Sequence, residues 1–328
     1  MMIDLLEQFG LRDAVVEPIA RGLINHTLLV RDAAGAPRAV LQRLHPIFGP
    51  EVNLDLEAVT AHLAARGVTT PRLIRTTGGE AWVARDDGVW RALTYVAGES
   101  YDRVSGPAMA AEAGRLVGRF HCALDGLEYG YRFARAGVHD TAAHLDKLRR
   151  LADAGGDPDA EALAREILAE AAQLPPLPET PRRHTHGDLK ISNVLFSPDG
   201  AALCLIDLDT LGQQTLAYEL GDALRSWCNP AGEDVAEPAA DRAIFDAALA
   251  GYLDAAGDLV TEVERDSLAP GMVTVCIELA ARFCADAFED RYFGWDPARF
   301  PDRRTHNLVR ARGQLALGRS AATMLLYG

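Results

Sequence analysis

Apolar and polar positions alternate along the first hundred residues of the chain. Segments such as AVVEPIA (14–20), LLVRD and RAVLQRL (38–44) are rich in β-branched residues, and turns containing Gly and Pro separate them. This pattern predicts a sheet of hairpins. Residues 51–66 interrupt it, because apolar side chains recur there at helical spacing. Two more strands are predicted around EAWVAR and VWRALTYV, which an Asp-Asp-Gly turn joins.

After residue 97 the apolar positions follow a helical period instead. Helices are predicted at about 107–125, 140–153, 159–173, 217–227, 238–256, 262–290 and 306–325. One short β segment interrupts these helices. It consists of NVLF, an SPDG turn and ALCLIDLD. The sequence therefore predicts an α+β protein with two lobes: a small antiparallel β lobe over residues 1–97 and a larger, mostly helical lobe over residues 98–328.

The net charge of the 328-residue chain is −14, which argues against a general nucleic-acid-binding protein because such a protein needs a basic surface. The cysteines form no CxxC pair and lie in apolar segments, a pattern typical of buried free thiols in a reducing cytosol. The start MMIDLLEQFG does not resemble a signal peptide, and no stretch approaches about 18 uncharged apolar residues. We therefore expect a cytoplasmic protein with no nucleic-acid or membrane partner.

The densest polar segment is HTHGDLKISN, which places His186, Asp188, Lys190 and Asn193 within eight positions. Asp207 comes nineteen residues after Asp188, beyond a predicted hairpin whose two ends are neighbours. The Asp207 carboxylate and the Asn193 amide oxygen can therefore converge on one cation. Hard oxygen ligands at a phosphate site suit Mg²⁺.

The order His-x-Asp-Leu-x-x-x-Asn is also that of the catalytic loop of kinases. In that arrangement Asp188 orients the attacking hydroxyl and accepts its proton, while Asn193 and Asp207 hold the metal. Lys190, two residues past the aspartate, can reach the transferred phosphoryl group. The alternative is a solvated loop followed by an unrelated acidic turn, which explains each residue singly but not their joint spacing.

The stretch HGDLKISNVLF…CLIDLDT resembles the aminoglycoside phosphotransferase and choline kinase-like family of small-molecule kinases. The resemblance implies a bilobal protein-kinase-like fold that binds ATP and Mg²⁺. It places Gly22 and Asn25 of GLINHT in the loop that covers the phosphates. Arg43 of AVLQRL would be the strand cation against the phosphates, and Glu57 the helix carboxylate that orients it. An ordinary turn and a surface carboxylate are the alternatives for the loop and for Glu57.

The same resemblance makes LTYVAGES the hinge between the lobes. Backbone groups near Thr94 to Val96 would then hydrogen-bond the adenine. This contact needs no particular side chain, so the residue types there do not test it.

Two further stretches, LIDLDTLGQQTLAYELGDALRSWCN and ELAARFCADAFEDRYF, resemble N-acetylhexosamine 1-kinase and its relatives. This resemblance implies that Arg282 donates to sugar oxygens and that Tyr292 or Phe293 stacks on the sugar ring. Asp209, two residues past the metal aspartate, either contacts substrate hydroxyls or caps the next turn. The residues themselves leave another interpretation open, because carboxylates recur every four positions around Arg282 and predict ion pairs on the helix surface.

We therefore predict an ATP- and magnesium-dependent kinase that phosphorylates a hydroxyl of a small metabolite. A sugar or amino sugar is the leading acceptor, with the anomeric hydroxyl as one candidate position. A kinase for choline, an amino alcohol or an aminoglycoside is the alternative, and such cationic substrates need acidic or aromatic pockets. A non-catalytic nucleotide-binding module is the alternative from another class, and the presence of Asp188, Asn193 and Asp207 argues against it.

Overall fold

The computed structural model describes residues 2–19, 24–133 and 137–326. Its N-terminal lobe is an antiparallel sheet flanked by helices. Its strands are β1 (Val15–Pro18), β2 (His26–Arg31), β3 (Pro37–Arg43), β4 (Leu73–Ile74), β5 (Val83–Arg85) and β6 (Gly88–Thr94). They pair in the order β1-β2-β3-β6-β4, and β5 also pairs with β6. The helices are α1 (Met2–Gln8), which the alternation does not predict, and α2 (Val52–Ala65).

Strand alternation divides the side chains of this sheet between two faces. On the outer face, apolar residues of β2, β3 and β6 pack with α1 into a small core made of Leu28, Val30, Ala39, Leu41, Trp90 and Ala92 with Leu5, Leu6 and Phe9. On the inner face, Gln42 of β3 lies directly across from Arg91 of β6. Arg91 is only 1% exposed, so the inner face buries polar side chains against the helical lobe.

The C-terminal lobe is built around one long helix, α8, which packs against α4, α5, α6 and α9. Its helices are α3 (Pro107–Leu124), α4 (Thr141–Ala154), α5 (Pro158–Ala171), α6 (Leu216–Trp227), α7 (Arg242–Ala256), α8 (Glu262–Glu289) and α9 (Arg303–Leu326). Each matches a predicted helix, and α7 begins later than predicted because the Asp241 side chain caps it by accepting from the Ile244 amide (3.0 Å). Helix α8 is long and apolar enough to cross a membrane, but 83% of its most apolar window is buried inside the protein.

Helices α6 and α8 meet at glycines. A Cβ atom added to Gly271 of α8 would lie 2.1 Å from the Ala217 carbonyl oxygen of α6, and one added to Gly221 of α6 would lie 2.6 Å from the Gly271 backbone. The two helix backbones can approach this closely only because neither glycine carries a side chain. This contact joins the helix that supports the polar segment 184–193 to the helix that carries Arg282.

Four short strands frame that polar segment. They are β7 (Arg183–Thr185), β8 (Val194–Phe196), β9 (Ala202–Leu205) and β10 (Gly212–Gln214). The β8–β9 hairpin is the β segment predicted from NVLF and ALCLIDLD, and the β7–β10 pair was not predicted. Together the two pairs bring the chain that follows Asp207 back beside the start of the polar segment.

Candidate active site

The loop between β7 and β8 is held by hydrogen bonds on both sides of Asp188. His186 is fully buried; its Nε2 donates to the Ile206 carbonyl oxygen (2.9 Å), and its Nδ1 accepts from the Asp188 amide (3.2 Å). Glu219 of α6 accepts from the amides of His186 (2.8 Å) and Gly187 (3.0 Å). These contacts fix the loop backbone without a ligand.

Gly187 lets this loop approach the turn that follows Asp207. Its φ is +80°, and a Cβ atom there would lie 2.4 Å from the Thr210 carbonyl oxygen. Only glycine fits a left-handed position so close to another backbone. Thr210 also donates from Oγ1 to the His186 carbonyl oxygen (2.8 Å), so the loop and the turn form one unit.

Glu219 is a supporting residue that the sequence analysis missed. Burial alone would raise the pKa of its carboxyl group. The neighbouring His121, whose Nε2 lies 3.6 Å from Glu219 Oε1, and the donating amide of His186 instead hold that pKa below its usual value. Glu219 is therefore a buried carboxylate that stays ionised at neutral pH and accepts hydrogen bonds from the loop. The available signal was an acidic residue at an apolar helix position of LAYELGDAL.

We expect Glu219→Gln to lower the free energy of unfolding at neutral pH by about 1–3 kcal/mol, because one loop amide would then face an NH₂ group instead of an oxygen. A carboxyl pKa that is depressed by folding stabilises the protein only while the group is ionised. The difference from wild type should therefore shrink as pH falls through the folded-state pKa of Glu219. Denaturant unfolding at neutral and acidic pH measures both effects, with Glu179→Gln at an exposed site as the control. Equal stability of the two proteins at neutral pH would contradict this role.

Asp188, Lys190 and Asn193 lie together at the end of the loop. Lys190 Nζ is 3.2 Å from Asp188 Oδ1, and Asn193 Nδ2 donates to the Asp188 carbonyl oxygen (2.8 Å) and to Asp188 Oδ2 (3.2 Å). Burial alone would lower the pKa of Lys190, but nearby carboxylates, Asp188 first, raise it. Lys190 therefore remains a cation beside Asp188, the predicted base.

Asp207 lies where the β8–β9 hairpin returns to Asn193. The Ile206 amide donates to the Asn193 carbonyl oxygen (2.9 Å), and Asp207 takes a left-handed conformation (φ 61°, ψ 56°). Burial, followed by the charges of Asp209 and Asp188, raises the pKa of Asp207 to about 7. A cation at this position would offset these unfavourable effects on the carboxylate.

The donor set at this position fits magnesium. Among the described residues no three His, Cys, Asp or Glu side chains are arranged to hold a metal by themselves. One carboxylate from Asp207 and one amide oxygen from Asn193 leave the remaining positions to phosphate and water. Mg²⁺ is usually held in this way, by one or two protein ligands together with substrate phosphates.

The predicted pair of Arg43 and Glu57 is not formed. Arg43 lies on the outer face of the sheet, where its nearest carboxylate oxygen is that of Asp87 at 3.9 Å. Glu57 accepts instead from Arg75 Nε (2.7 Å). The reason is strand alternation: a step of one residue moves a side chain to the opposite face, and the inner position of β3 belongs to Gln42.

Arg91 of β6 is a buried cation on the inner face that was not among the predicted site residues. Both Nη atoms donate to the Asp209 carboxylate (Nη2 to Oδ2, 2.9 Å), and Asn25 Nδ2 donates to the same Oδ2 (2.7 Å). Asp209 is 2% exposed. Asp209 thus forms an ion pair between the lobes in place of the predicted turn cap, and its predicted substrate contact stays a prediction because it also lines a cavity beside Gly187. A lone arginine among the apolar residues of VWRALTYV was the available signal.

The predicted phosphate-covering loop is described only in part. Gly22 lies outside the described residues, so its place over the phosphates stays a prediction. Asn25 is engaged within the protein at both ends of its amide group, because its Oδ1 accepts from the His45 amide (2.9 Å) while its Nδ2 contacts Asp209. Asn25 therefore joins the start of β2 to the helical lobe.

The hinge follows β6. The Thr94 amide donates to the Arg72 carbonyl oxygen (2.8 Å), and Thr94 Oγ1 accepts from the Arg72 amide (2.9 Å). Val96 is partly buried two residues beyond the strand. The linker is then fixed to the helical lobe, because Glu99 and Phe196 exchange two backbone hydrogen bonds of 2.8 Å. The predicted adenine contacts of Thr94 and Val96 stay predictions.

A cavity of about 710 Å³ opens beside Gly187. The aromatic rings of Tyr131, Phe133 and Tyr218 line it, and His139 stacks on Tyr218 with ring centroids 5.2 Å apart. These rings form the aromatic wall of the cavity, and the rest of its lining includes Arg182 and polar residues such as Gln213 and Gln214.

A buried carboxylate lies behind this aromatic wall. Glu278 of α8 is 1% exposed and accepts from His139 Nδ1 (3.0 Å) and Thr141 Oγ1 (2.6 Å). Burial alone would lower the pKa of His139, but its hydrogen bond to Glu278 raises that pKa above its usual value. Glu278 is thereby paired with His139 and fixes this residue in the cavity wall.

Helix α2 of the N-terminal lobe holds the other side of the aromatic wall. Asp55 is 2% exposed and accepts from the amides of Arg132 and Phe133 (2.9 Å each) and from Tyr129 Oη (2.8 Å). One carboxylate of the small lobe therefore fixes the segment that carries Tyr131 and Phe133.

The structure brings Arg282, Tyr292 and Phe293 together at a neighbouring cavity of about 230 Å³. The Arg282 guanidinium lies over the Phe293 ring at 5.7 Å from its centroid. The Phe293 ring also packs against Phe283, with centroids 4.4 Å apart. Neighbouring side chains therefore cover much of the Phe293 ring, whereas Tyr292, the other ring predicted to stack on a sugar, is 54% exposed.

The alternative prediction, a ladder of ion pairs around Arg282, is not formed. Glu278 contacts His139 and Thr141, as described above. Asp286 accepts from the amides of Tyr292 and Phe293 (2.8 Å each). Within the described ranges Arg282 has no ion-pair partner, and its contact with Phe293 is a cation–π contact.

Comparison with known proteins agrees with this geometry. Residues 15–257 match the model of a family described as the phosphotransferase enzyme family. The homoserine kinase of Methylobacillus glycogenes is 26% identical over 322 residues, which cover 92% of this chain and 90% of the relative.

Solved structures show the same fold. An aminoglycoside phosphotransferase from Alicyclobacillus acidocaldarius superimposes with a TM-score of 0.65 at 17% identity, covering 99% of this chain and 96% of the other. A microcompartment-associated aminopropanol kinase gives a TM-score of 0.63 at 18% identity, covering 95% and 93%. The predicted bilobal protein-kinase-like fold is thereby confirmed.

Proposed function

The chain belongs to the phosphotransferase enzyme family, and we propose that it transfers the terminal phosphoryl group of ATP to a hydroxyl of a small metabolite that also carries an amine. The aromatic cavity beside the catalytic loop is the observation that carries this proposal. A protonated amine is attracted to the faces of aromatic rings.

A residue of the polar segment can be assigned to each step of the phosphoryl transfer. The acceptor hydroxyl oxygen forms a bond to the terminal phosphorus while the bond from that phosphorus to the bridging oxygen of ADP breaks. The proton of the hydroxyl passes to the Asp188 carboxylate, and the Lys190 ammonium, 3.2 Å from that carboxylate, stabilises the charge of the transferred group. Asn193 and Asp207 would hold Mg²⁺, which would neutralise part of the phosphate charge when bound. Positioning and electrostatics account for the chemistry.

The geometry favours an amine over a neutral sugar. The sugar prediction depended on Arg282, Tyr292 and Phe293, which line the smaller cavity, where protein side chains cover much of the Phe293 ring. The larger cavity has the aromatic wall that a cationic acceptor needs. Homoserine and aminopropanol, the substrates in the names of two similar proteins, each carry an alcohol and an amine, and this supports the same class.

Turnover of ATP with a panel of acceptors tests the proposal. The panel contains amino alcohols, hydroxy amino acids, choline, an aminoglycoside and hexosamines, and each amine is matched with the analogue that has a hydroxyl in place of its amino group. We expect the amine of each pair to have the higher kcat/KM. Preference for the hexosamines or for the neutral analogues would contradict the amine assignment, and turnover with none of them would favour the non-catalytic module.

Arg282 lines the smaller cavity, which shares Gly137 and Val138 with the larger one, and its guanidinium predicts a further preference within this class. For an acceptor that carries a carboxylate, Arg282→Met should raise the KM of that acceptor by about 10- to 150-fold, which corresponds to the loss of one charged hydrogen bond. The KM for ATP and for an amino alcohol without a carboxylate should not change. Steady-state kinetics measure these constants, and Arg310→Met, which removes the arginine over the neighbouring Phe283 ring, is the matched control. An equal effect on both acceptors would contradict a carboxylate contact.

A further inference from the structure

We propose that the ion pair of Arg91 and Asp209 is a tether that positions the metal ligand Asp207 relative to the N-terminal lobe. The inference rests on the proposed function, since it concerns how magnesium nucleotide is held. Asp209 follows Asp207 by two residues, in the short turn Leu208–Thr210. Arg91 belongs to the central strands of the other lobe, so the pair crosses between the lobes within two residues of the metal ligand.

Every nitrogen of the Arg91 guanidinium has a partner within the protein. Besides its contacts with Asp209, Arg91 donates from Nε and Nη2 to Gln42 Oε1 (2.9 and 2.7 Å) and from Nη1 to Asn53 Oδ1 (3.4 Å). Arg91 and Asp209 are 1% and 2% exposed. All three nitrogens of the guanidinium are engaged by protein oxygens, which leaves no nitrogen free for a phosphate. Arg91 therefore differs from the phosphate-binding cation that a kinase-like fold leads one to expect on these strands.

The turn needs such support because Asp207 is a non-glycine residue in a left-handed conformation. That conformation persists only where the surrounding structure holds it. The turn is held from two sides. Thr210 contacts the catalytic loop of the helical lobe (2.8 Å to the His186 carbonyl oxygen), and Asp209 contacts Arg91 and Asn25 of the small lobe. The Asp207 carboxylate is thus placed with respect to both lobes at once.

The double variant Arg91→Met/Asp209→Leu tests the tether. Replacing both partners leaves no buried charge unpaired, so the protein is expected to fold. We expect the Mg²⁺ concentration for half-maximal turnover to rise by about 10–100-fold, the usual cost of losing a partner that orients a metal ligand. Calorimetry should show a matching loss of MgATP affinity without turnover. The KM for the acceptor is not a control here, because Asp209 also lines the acceptor cavity.

The control is Arg304→Met, which breaks an arginine–aspartate fork of similar form to Asp157 within the helical lobe. It should lower the unfolding midpoint without changing the Mg²⁺ requirement. A wild-type Mg²⁺ requirement in the folded double variant would overturn the tether, as would the same change in Arg304→Met. If the double variant does not fold, Arg91→Lys, which keeps the charge but cannot form the fork, is measured in the same way. If the wild-type protein showed no turnover, the proposed function would be wrong. The MgATP affinities of the wild type and the variants, measured by calorimetry, would still test the tether.

Discussion

Asp188→Asn is expected to lower kcat by roughly 10²–10⁴ while leaving MgATP affinity nearly unchanged, the usual scale for loss of a positioned general base. Asparagine has the size of aspartate, and the loop that carries it is fixed by His186 and Glu219 rather than by its own carboxylate. The variant should therefore fold and bind nucleotide. It cannot accept the hydroxyl proton, so the chemical step alone is lost.

Turnover with the best acceptor measures kcat, and calorimetric titration with MgATP measures the nucleotide affinity. Asp199→Asn, in the exposed SPDG turn of the β8–β9 hairpin, is the control and should match wild type in both. Unchanged turnover in folded Asp188→Asn would remove the basis for assigning a phosphotransferase mechanism to this loop.

Asp207→Asn is expected to abolish magnesium-dependent nucleotide binding without loss of the fold. The charge of Asp207 is unfavourable where it lies, because burial and the neighbouring carboxylates of Asp209 and Asp188 oppose it. A carboxylate held in such a place is explained by a cation that it binds. Asparagine tolerates the left-handed conformation of this position better than alanine does, so the substitution tests the charge and not the backbone.

Titration of ATP in the presence and absence of Mg²⁺ measures the loss, and thermal unfolding without metal should show no loss of stability. Asp290→Asn is the matched control, because Asp290 is also a left-handed aspartate (φ 51°) but lies at the end of α8. If Asp207→Asn kept the magnesium dependence of wild type, Asp207 would be a turn residue only.

The catalytic segment could be predicted because its chemistry is local. Asp188, Lys190 and Asn193 lie within six residues, and one hairpin with a clear turn returns Asp207 to them. The helices of the larger lobe were predictable for the same reason, since the apolar period of each depends only on its own residues. Short elements with few residues to show a period, such as α1 and the β7–β10 pair, were not.

The inner face of the small lobe could not be predicted, because it depends on contacts between distant residues. Nothing local decides whether Gln42 or Arg43 faces inward at the end of β3, and an error of one residue exchanges the two faces. Arg91 and Asp209 are 118 positions apart, and only the packing of the two lobes makes them partners. Glu219 likewise shows its role only when α6 lies against the loop.

Asp55 gives the two lobes a shared contact through which the binding of one ligand can change the affinity for another. This carboxylate belongs to the helix of the nucleotide lobe, yet its hydrogen bonds hold the wall of the acceptor cavity. By thermodynamic linkage, any factor by which bound nucleotide tightens acceptor binding is also the factor by which bound acceptor tightens nucleotide binding. Where this factor exceeds one, an amine that fills the aromatic cavity but lacks a hydroxyl would trap ATP on the protein, and its inhibition would grow stronger as the ATP concentration rises.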